Sequence, residues 1–373
     1  MTSLIDEKPL YNLGESFGPH IKVGELLPAG GMSQLAQLTL GYGTSAGALE
    51  LRQLLAANMG VHGDNVLVTA GAVSALFLVA LLVADEDAEI VVVQPCFPPT
   101  VAALQGIGGR LVTLQLRFEH GYRLDLPALR SKLSIRTRLV SIASPQNPSG
   151  VAINRREIEE VLAAMASVCP DALLLIDETY REAVHGQAPV PESVASLSEQ
   201  VMTCGSLSKA HGAPGLRIGW LTVRKPDLCE QLRLAKFNTA ISCGSVDEFL
   251  AIELLRRAET ILAPRRVFLA DALTVVEKWV ETNREHIRWV RPEAGAMCCV
   301  QLNPAVFARG GVKQFYSQLR QRRTLIAPGE WFGDSSHVFR LGFAYEPIEK
   351  LRTGLDIISD VLRNASKSTS QFA

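Results

Sequence analysis

Residues 201 to 222 read VMTCGSLSKAHGAPGLRIGWLT. An apolar start leads into Ser206, Leu207, Ser208 and Lys209; Gly212, Pro214 and Gly215 follow, and Arg217 stands ahead of a second apolar run, Ile218 to Thr222. A lysine among small residues, with an arginine eight positions on, suits a buried amine beside a bound phosphate. Small neighbours let a flat ring approach the backbone, and the planar guanidinium offers a bidentate phosphate partner. Lysine is also the side chain that forms Schiff bases with aldehydes. A surface lysine after a strand is the commoner case for a single lysine; the flanking residues set this one apart.

The stretch SLSKAHGAPGLRIGW resembles the lysine signature of fold-type I pyridoxal-phosphate enzymes, the class I/II aminotransferase superfamily. That resemblance implies an α/β fold, with a large domain built on a mainly parallel seven-stranded sheet and a smaller α+β domain. It also implies pyridoxal 5'-phosphate as cofactor and a free amino acid as substrate.

The rest of the chain is read outward from there. At 373 residues it suits two domains. Hydrophobic residues make up 47% and charged residues 20%, as in a globular protein. A net charge of −1 leaves no electrostatic footprint for nucleic acid or an anionic membrane surface. Seven cysteines without a CxxC pair read as reduced thiols, not as a disulfide frame or a metal site. The N-terminal stretch MTSLIDEKPLYNLGES has no signal-peptide pattern, and the longest apolar run ends in acids before transmembrane length. A cytoplasmic protein is the expectation.

Residues 1–36 are expected to form an irregular arm or lid, 37–268 the large cofactor domain and 269–373 the small domain. Strands are expected at Val66–Thr69, Ile90–Gln94, Arg110–Gln115, Arg138–Ala143, Ala172–Asp177, Val201–Ser206 and Arg217–Val223. Helical periodicity places helices at 72–84, 98–107, 154–167 and 225–238, and a long one from Val246 to about 282, interrupted near Pro264. Strands alternating with helices argue for a parallel α/β sheet. In the tail, short strands are expected at 296–302, 324–327 and 338–342, and helices at 312–322 and 347–363.

Candidate site residues follow from chemistry and, where noted, from the resemblance. VTAGAVSALF is a strand, a glycine turn and a helix start, which is an anion site in outline; the resemblance makes the amides of Gly71, Ala72 and Val73 phosphate donors, with Ser206, Ser208 and Arg217. LLLIDETY puts Asp177 at a strand end, where a carboxylate can keep a pyridine nitrogen protonated. Tyr180, three residues on, and Asn147 in ASPQNPSG match the partners of the ring's phenolic oxygen. Phe97 in QPCFPPT fits the aromatic that stacks on the ring. Arg340 in HVFRLGFA matches the arginine that grips the substrate carboxylate. Tyr42 in GYG matches a tyrosine that reaches the neighbouring subunit's phosphate, which implies a homodimer with shared active sites.

Within this superfamily the arm is informative. NLGESFGPHIKVGELL offers Glu15 and His20 where ordinary members present apolar residues. The Ser16, Gly18, His20 and Gly24-Glu25-Leu26 pattern is similar to the branch of guanidino-amino-acid cyclases that form capreomycidine and enduracididine. That likeness implies loss of water from a hydroxylated arginine and ring closure, with Glu15 gripping the guanidine and His20 acting as an acid or base. Solvated arm residues are the plain alternative for both. An ordinary aminotransferase using a 2-oxo acid and a catalytically silent binding module are the other two readings; an intact set of Lys209, Asp177, Asn147, Tyr180, Arg217 and Arg340 argues against the last.

Overall fold

In the computed structural model, residues 8–85, 87–307 and 310–370 are described, the side chains of 365–370 excepted. After a two-residue strand β1 (Tyr11–Asn12) come β2 (Val66–Thr69), β3 (Glu89–Gln94), β4 (Arg110–Gln115), β5 (Thr137–Ala143), β6 (Leu173–Asp177), β7 (Val201–Ser206) and β8 (Gly219–Val223). The last seven form one sheet in the order β2-β8-β7-β6-β5-β3-β4. β8 runs antiparallel to both neighbours, and every other pair is parallel. Six strands therefore end on the same edge, the edge where open α/β sheets bind ligands. β2, β7 and β8 are buried along their whole length, so they read as continuous apolar runs without alternation.

The helices between the strands begin where local chemistry allows. Asn154 and Glu157 make reciprocal bonds of 3.0 and 2.8 Å at the start of Arg155–Val168, a capping box that satisfies two orphan donors. β8 starts two residues later than its sequence suggests because Arg217 sits at φ 49°, left-handed, closing a 3-10 turn at Pro214–Leu216. Leu126–Lys132 is a further helix, entered through the Asp125 cap, that periodicity over so short a span does not reveal.

The long helical stretch breaks at Arg257, between Ser245–Arg256 and Ala258–Thr282, and not at Pro264. Arg257 turns its guanidinium to the carbonyls of Glu25 and Leu26 in the arm. Pro264 removes one helical donor without ending the helix. Ala258–Thr282 runs through the boundary expected at 268/269.

Beyond it lie β9 (Ile287–Val290), β10 (Met297–Leu302), β11 (Thr324–Leu325), β12 (Ala327–Pro328) and β13 (Val338–Gly342), with helices Gly311–Gln321 and Ile348–Ser370. β12, β13, β10 and β9 form an antiparallel sheet in that order. Its apolar face packs on the helices through Trp279, Phe307, Phe315, Phe339 and Leu351. The arm is more ordered than its composition suggests. β1 pairs parallel with β11, Leu13 is buried in the same cluster, and short helices form at Val23–Leu26 and Gly31–Ala36. No helix among the described residues is long and apolar enough to cross a membrane.

Candidate active site

The shared C-terminal edge of the sheet collects most of the expected site. β3 leads to Phe97, β5 to Asn147, β6 to Asp177 and Tyr180, and β7 to Ser206, Ser208 and Lys209. Asp177 lies in register with Cys204 on β7 and Ala143 on β5. Its Oδ1 accepts from the Thr179 amide at 3.0 Å. Burial pushes its carboxyl above the usual range, while the Thr179 and Cys204 hydrogen bonds and the Lys209 charge pull the other way. Among the described residues no cation approaches within ion-pair distance of it. Phe97 is half-buried, capping Pro98–Gly106 and packed against the cluster around Val92 and Leu175.

At the other side of the edge, Gly71 caps the 11-residue helix Ala72–Leu82 with φ 77°. A Cβ there would collide with the Arg217 guanidinium, so glycine is what lets that side chain lie over the first amides of the helix. Arg217 also donates to the Pro214 carbonyl at 2.9 Å and is otherwise exposed. Ser206 is buried, and its Oγ accepts from the Ser208 amide at 3.2 Å. Val73 is exposed and presents its amide in the helix's first turn.

Lys209 meets the arm. Its Nζ donates to Ser16 Oγ at 3.3 Å and lies 5.0 Å from the centre of the Phe17 ring and 5.7 Å from that of Tyr180. Ser16 Oγ is in turn 2.8 Å from Tyr180 Oη. Arg340 is buried on β13; its Nη1 donates to Asn147 Oδ1 at 2.8 Å and its Nη2 to the Gly14 carbonyl at 2.6 Å. Its guanidinium carbon sits 4.7 Å from the Phe332 ring centre. Nε has no partner among the described residues, and burial lowers the Arg340 pKa against the opposing pull of Tyr180 and Glu15. Asn147, Tyr180, Lys209 and Arg340 are thus linked through one another and through residues 14–17.

Two expected arm residues fare differently. Glu15 is half-buried and close enough to Arg340 and Tyr345 to bias their ionisation, yet its carboxylate makes no hydrogen bond or ion pair with a described residue. His20 is exposed, stacked on Phe17 at 5.2 Å and edge-on to Tyr345 at 5.8 Å. Tyr42 is not brought to Lys209 within the chain: it is 85% exposed. Sequence reasoning did not place Ser16, Phe17, Arg265 or Phe332 at the site. Only Ser16 and the glycines around it carried a signal, as part of the arm's pattern.

Against known proteins, the Aminotransferase class I and II family model matches residues 14–358. The chain is similar to a capreomycidine synthase of Streptomyces vinaceus, 32% identical over 340 residues, covering 89% of this chain and 83% of that protein. It is 28% identical to an arginine–pyruvate transaminase of Pseudomonas aeruginosa, covering 83% and 80%. A PLP-dependent aminotransferase from Streptococcus suis superposes with a TM-score of 0.87 at 26% identity, over 95% of this chain and 94% of that one. The PLP-dependent cyclase OrfR superposes with a TM-score of 0.85 at 24% identity, over 96% and 94%, a likeness of fold.

Proposed function

The chain belongs to the class I and II aminotransferase family, pyridoxal-phosphate enzymes of fold type I, and from that premise we propose that it removes water from a hydroxylated arginine and closes the guanidine into a ring. The residues fit the cofactor. Asp177 is a largely enclosed carboxylate with no cation at ion-pair distance among the described residues, the situation a protonated pyridine nitrogen would relieve. Gly71 leaves room for Arg217 over amides at a helix start, a phosphate cradle in which Ala72, Val73, Ser206 and Ser208 complete the donor set. When bound, pyridoxal phosphate supplies an aldehyde that captures amines and a ring that draws electron density from the α-carbon.

The chain's own groups do the rest. Lys209 holds the cofactor at rest and, as a free amine, moves the α-proton. Tyr180 and Asn147 would hydrogen-bond the cofactor's phenolic oxygen, and Phe97 would stack on its ring. Arg340 takes the α-carboxylate, with Asn147 and the Gly14 carbonyl fixing its plane. Loss of water breaks the Cα–H and Cβ–O bonds, with Lys209 taking the α-proton and His20 or Glu15 giving one to the leaving hydroxyl; a guanidine nitrogen then bonds to the β-carbon, its N–H proton returning to that same donor as Lys209 returns a proton to the α-carbon. No oxo acid is consumed.

One observation carries this reading: the Glu15 carboxylate, half-buried beside Arg340 with no partner of its own among the described residues, suits a guanidinium. Glu15→Gln is expected to raise KM for 3-hydroxy-L-arginine about 10- to 100-fold, with α-hydrogen exchange of L-alanine unchanged. Full activity on hydroxylated arginines in both Glu15→Gln and His20→Ala would take the guanidine-gripping and proton-supplying roles from these two residues. A second reading, transamination with a 2-oxo acid, is favoured by the likeness to the arginine–pyruvate transaminase.

Tyr42 completes the site from a second copy in this proposal. Val73 and Phe77 share a face of one helix, Leu234 and Phe237 a face of the helix Pro226–Ala240 that packs on it, with Ile241 just past its end, and all five are at least 40% exposed. Sedimentation at micromolar concentration is expected to give a homodimer. A monomer retaining full activity would remove Tyr42 from the site.

A further inference from the structure

Resting on that reading of Lys209, we infer that Ser16 is a further catalytic residue, orienting the Lys209 amine, and that Arg265 is the positioning residue that brings it there. Among the described residues Ser16 Oγ is the polar contact of Lys209 Nζ, at 3.3 Å, and it is shared with Tyr180 Oη at 2.8 Å. A hydroxyl has one donor and two acceptor sites, so it can accept from both neighbours or accept from the amine while donating to the phenol. In either arrangement one N–H of the free amine is directed at Ser16. The amine's lone pair then points away from Oγ and is left free to take a proton. Ser16 is buried, so water does not compete for this bond.

Ser16 reaches this position because the arm is fastened to the lysine loop. Arg265, in the helix Ala258–Thr282, donates through Nε to the Ala210 carbonyl at 2.8 Å and through Nη2 to the Pro19 carbonyl. One guanidinium thus spans the residue after Lys209 and the third residue after Ser16. The Ile21 amide adds a bond of 3.0 Å to the Gly212 carbonyl. Gly212 has φ 67°, and a Cβ on it would collide with the Arg265 guanidinium and the Pro19 carbonyl. Among the described residues Arg265 has no carboxylate partner. Two carbonyls and a place beside Lys209, Ser16 and Phe17 hold it instead. Burial also lowers its pKa, a cost that a surface salt bridge would not incur.

The test uses cofactor-loaded protein in heavy water with L-arginine and with 3-hydroxy-L-arginine, following α-hydrogen exchange by NMR. Amide exchange of the peptide spanning 13–22 is read separately, without substrate. Ser16→Ala is expected to slow α-hydrogen exchange about 10- to 100-fold, with cofactor absorbance and arm protection unchanged. Ser16→Thr, which keeps the hydroxyl, is expected to recover most of the rate. Arg265→Met is expected to slow α-exchange to a similar degree and to raise amide exchange in the arm at least about tenfold, with partial recovery in Arg265→Lys. Wild-type α-exchange in Ser16→Ala would overturn the inference while leaving Lys209 in its role. Unaltered, cofactor-loaded protein that exchanges neither amino acid would overturn the reading of Lys209 and the inference with it.

Discussion

Lys209→Ala is expected to abolish turnover, with a loss of at least about 10⁴-fold, the upper range for removing a positioned acid–base group. The amine has two tasks in the proposed mechanism, so the loss compounds. It links the protein to the cofactor's aldehyde, and once displaced it carries the α-proton. Its surroundings match both tasks, since Ser16 Oγ at 3.3 Å and the rings of Phe17 and Tyr180 hold it against the arm. Borohydride reduction of the unaltered holoenzyme should leave the cofactor covalently on the peptide containing Lys209. In Lys209→Ala no peptide should be labelled. Labelling elsewhere, or turnover within tenfold of the original, would move the chemistry to another residue.

Asp177→Asn is expected to lower kcat on the order of 10³-fold, as losses of preorganised charge at a reacting centre do. A buried carboxylate costs free energy unless a cation meets it. Asp177 meets none among the described residues and is held by the Thr179 amide and the Cys204 thiol. Its burial-raised pKa is a cost that a protonated ring nitrogen in the holoenzyme would reverse. An amide of the same shape keeps the hydrogen bond from Thr179 but cannot hold a proton on the ring. The expected signature is a fall in kcat with substrate KM little changed, plus a shift in cofactor absorbance. Unaltered kcat in Asp177→Asn would take the electron-sink role from this residue.

Much of the large sheet was legible because its strands are buried on both faces and run as unbroken apolar stretches, as in LLLID and VMTCGS. Periodicity says less where an element is short or its boundary is set by tertiary contact. β9, with its half-exposed Trp289 and Val290, gave no clear strand pattern. Arg217 looked like the start of a strand, whereas its left-handed backbone is the turn that brings its side chain over Gly71. Pro264 looked like a break, and the break lies at Arg257, whose side chain leaves to hold the arm.

The site divides along the same line. Asp177 at the end of β6, and Asn147, Tyr180 and Lys209 within four residues of a strand end, stand in short contiguous motifs, and those motifs carry the resemblance to the family. Ser16 meets Lys209 across 193 positions, and Arg265 reaches Ala210 and Pro19 from the interior of a helix. No local pattern encodes such meetings. They arise from the arm lying along β13, where Gly342 donates to the Leu13 carbonyl at 2.8 Å and Arg340 to that of Gly14.

The most direct test of the proposed reaction is stoichiometry. Cofactor-loaded protein is mixed with an excess of 3-hydroxy-L-arginine, no oxo acid is present, and substrate and products are followed by mass. The account predicts many equivalents consumed per active site and a product lighter by one water, with the cofactor absorbance restored at the end. Consumption that stops at one equivalent per site, and resumes only when a 2-oxo acid is added, would contradict it and make the protein a transaminase.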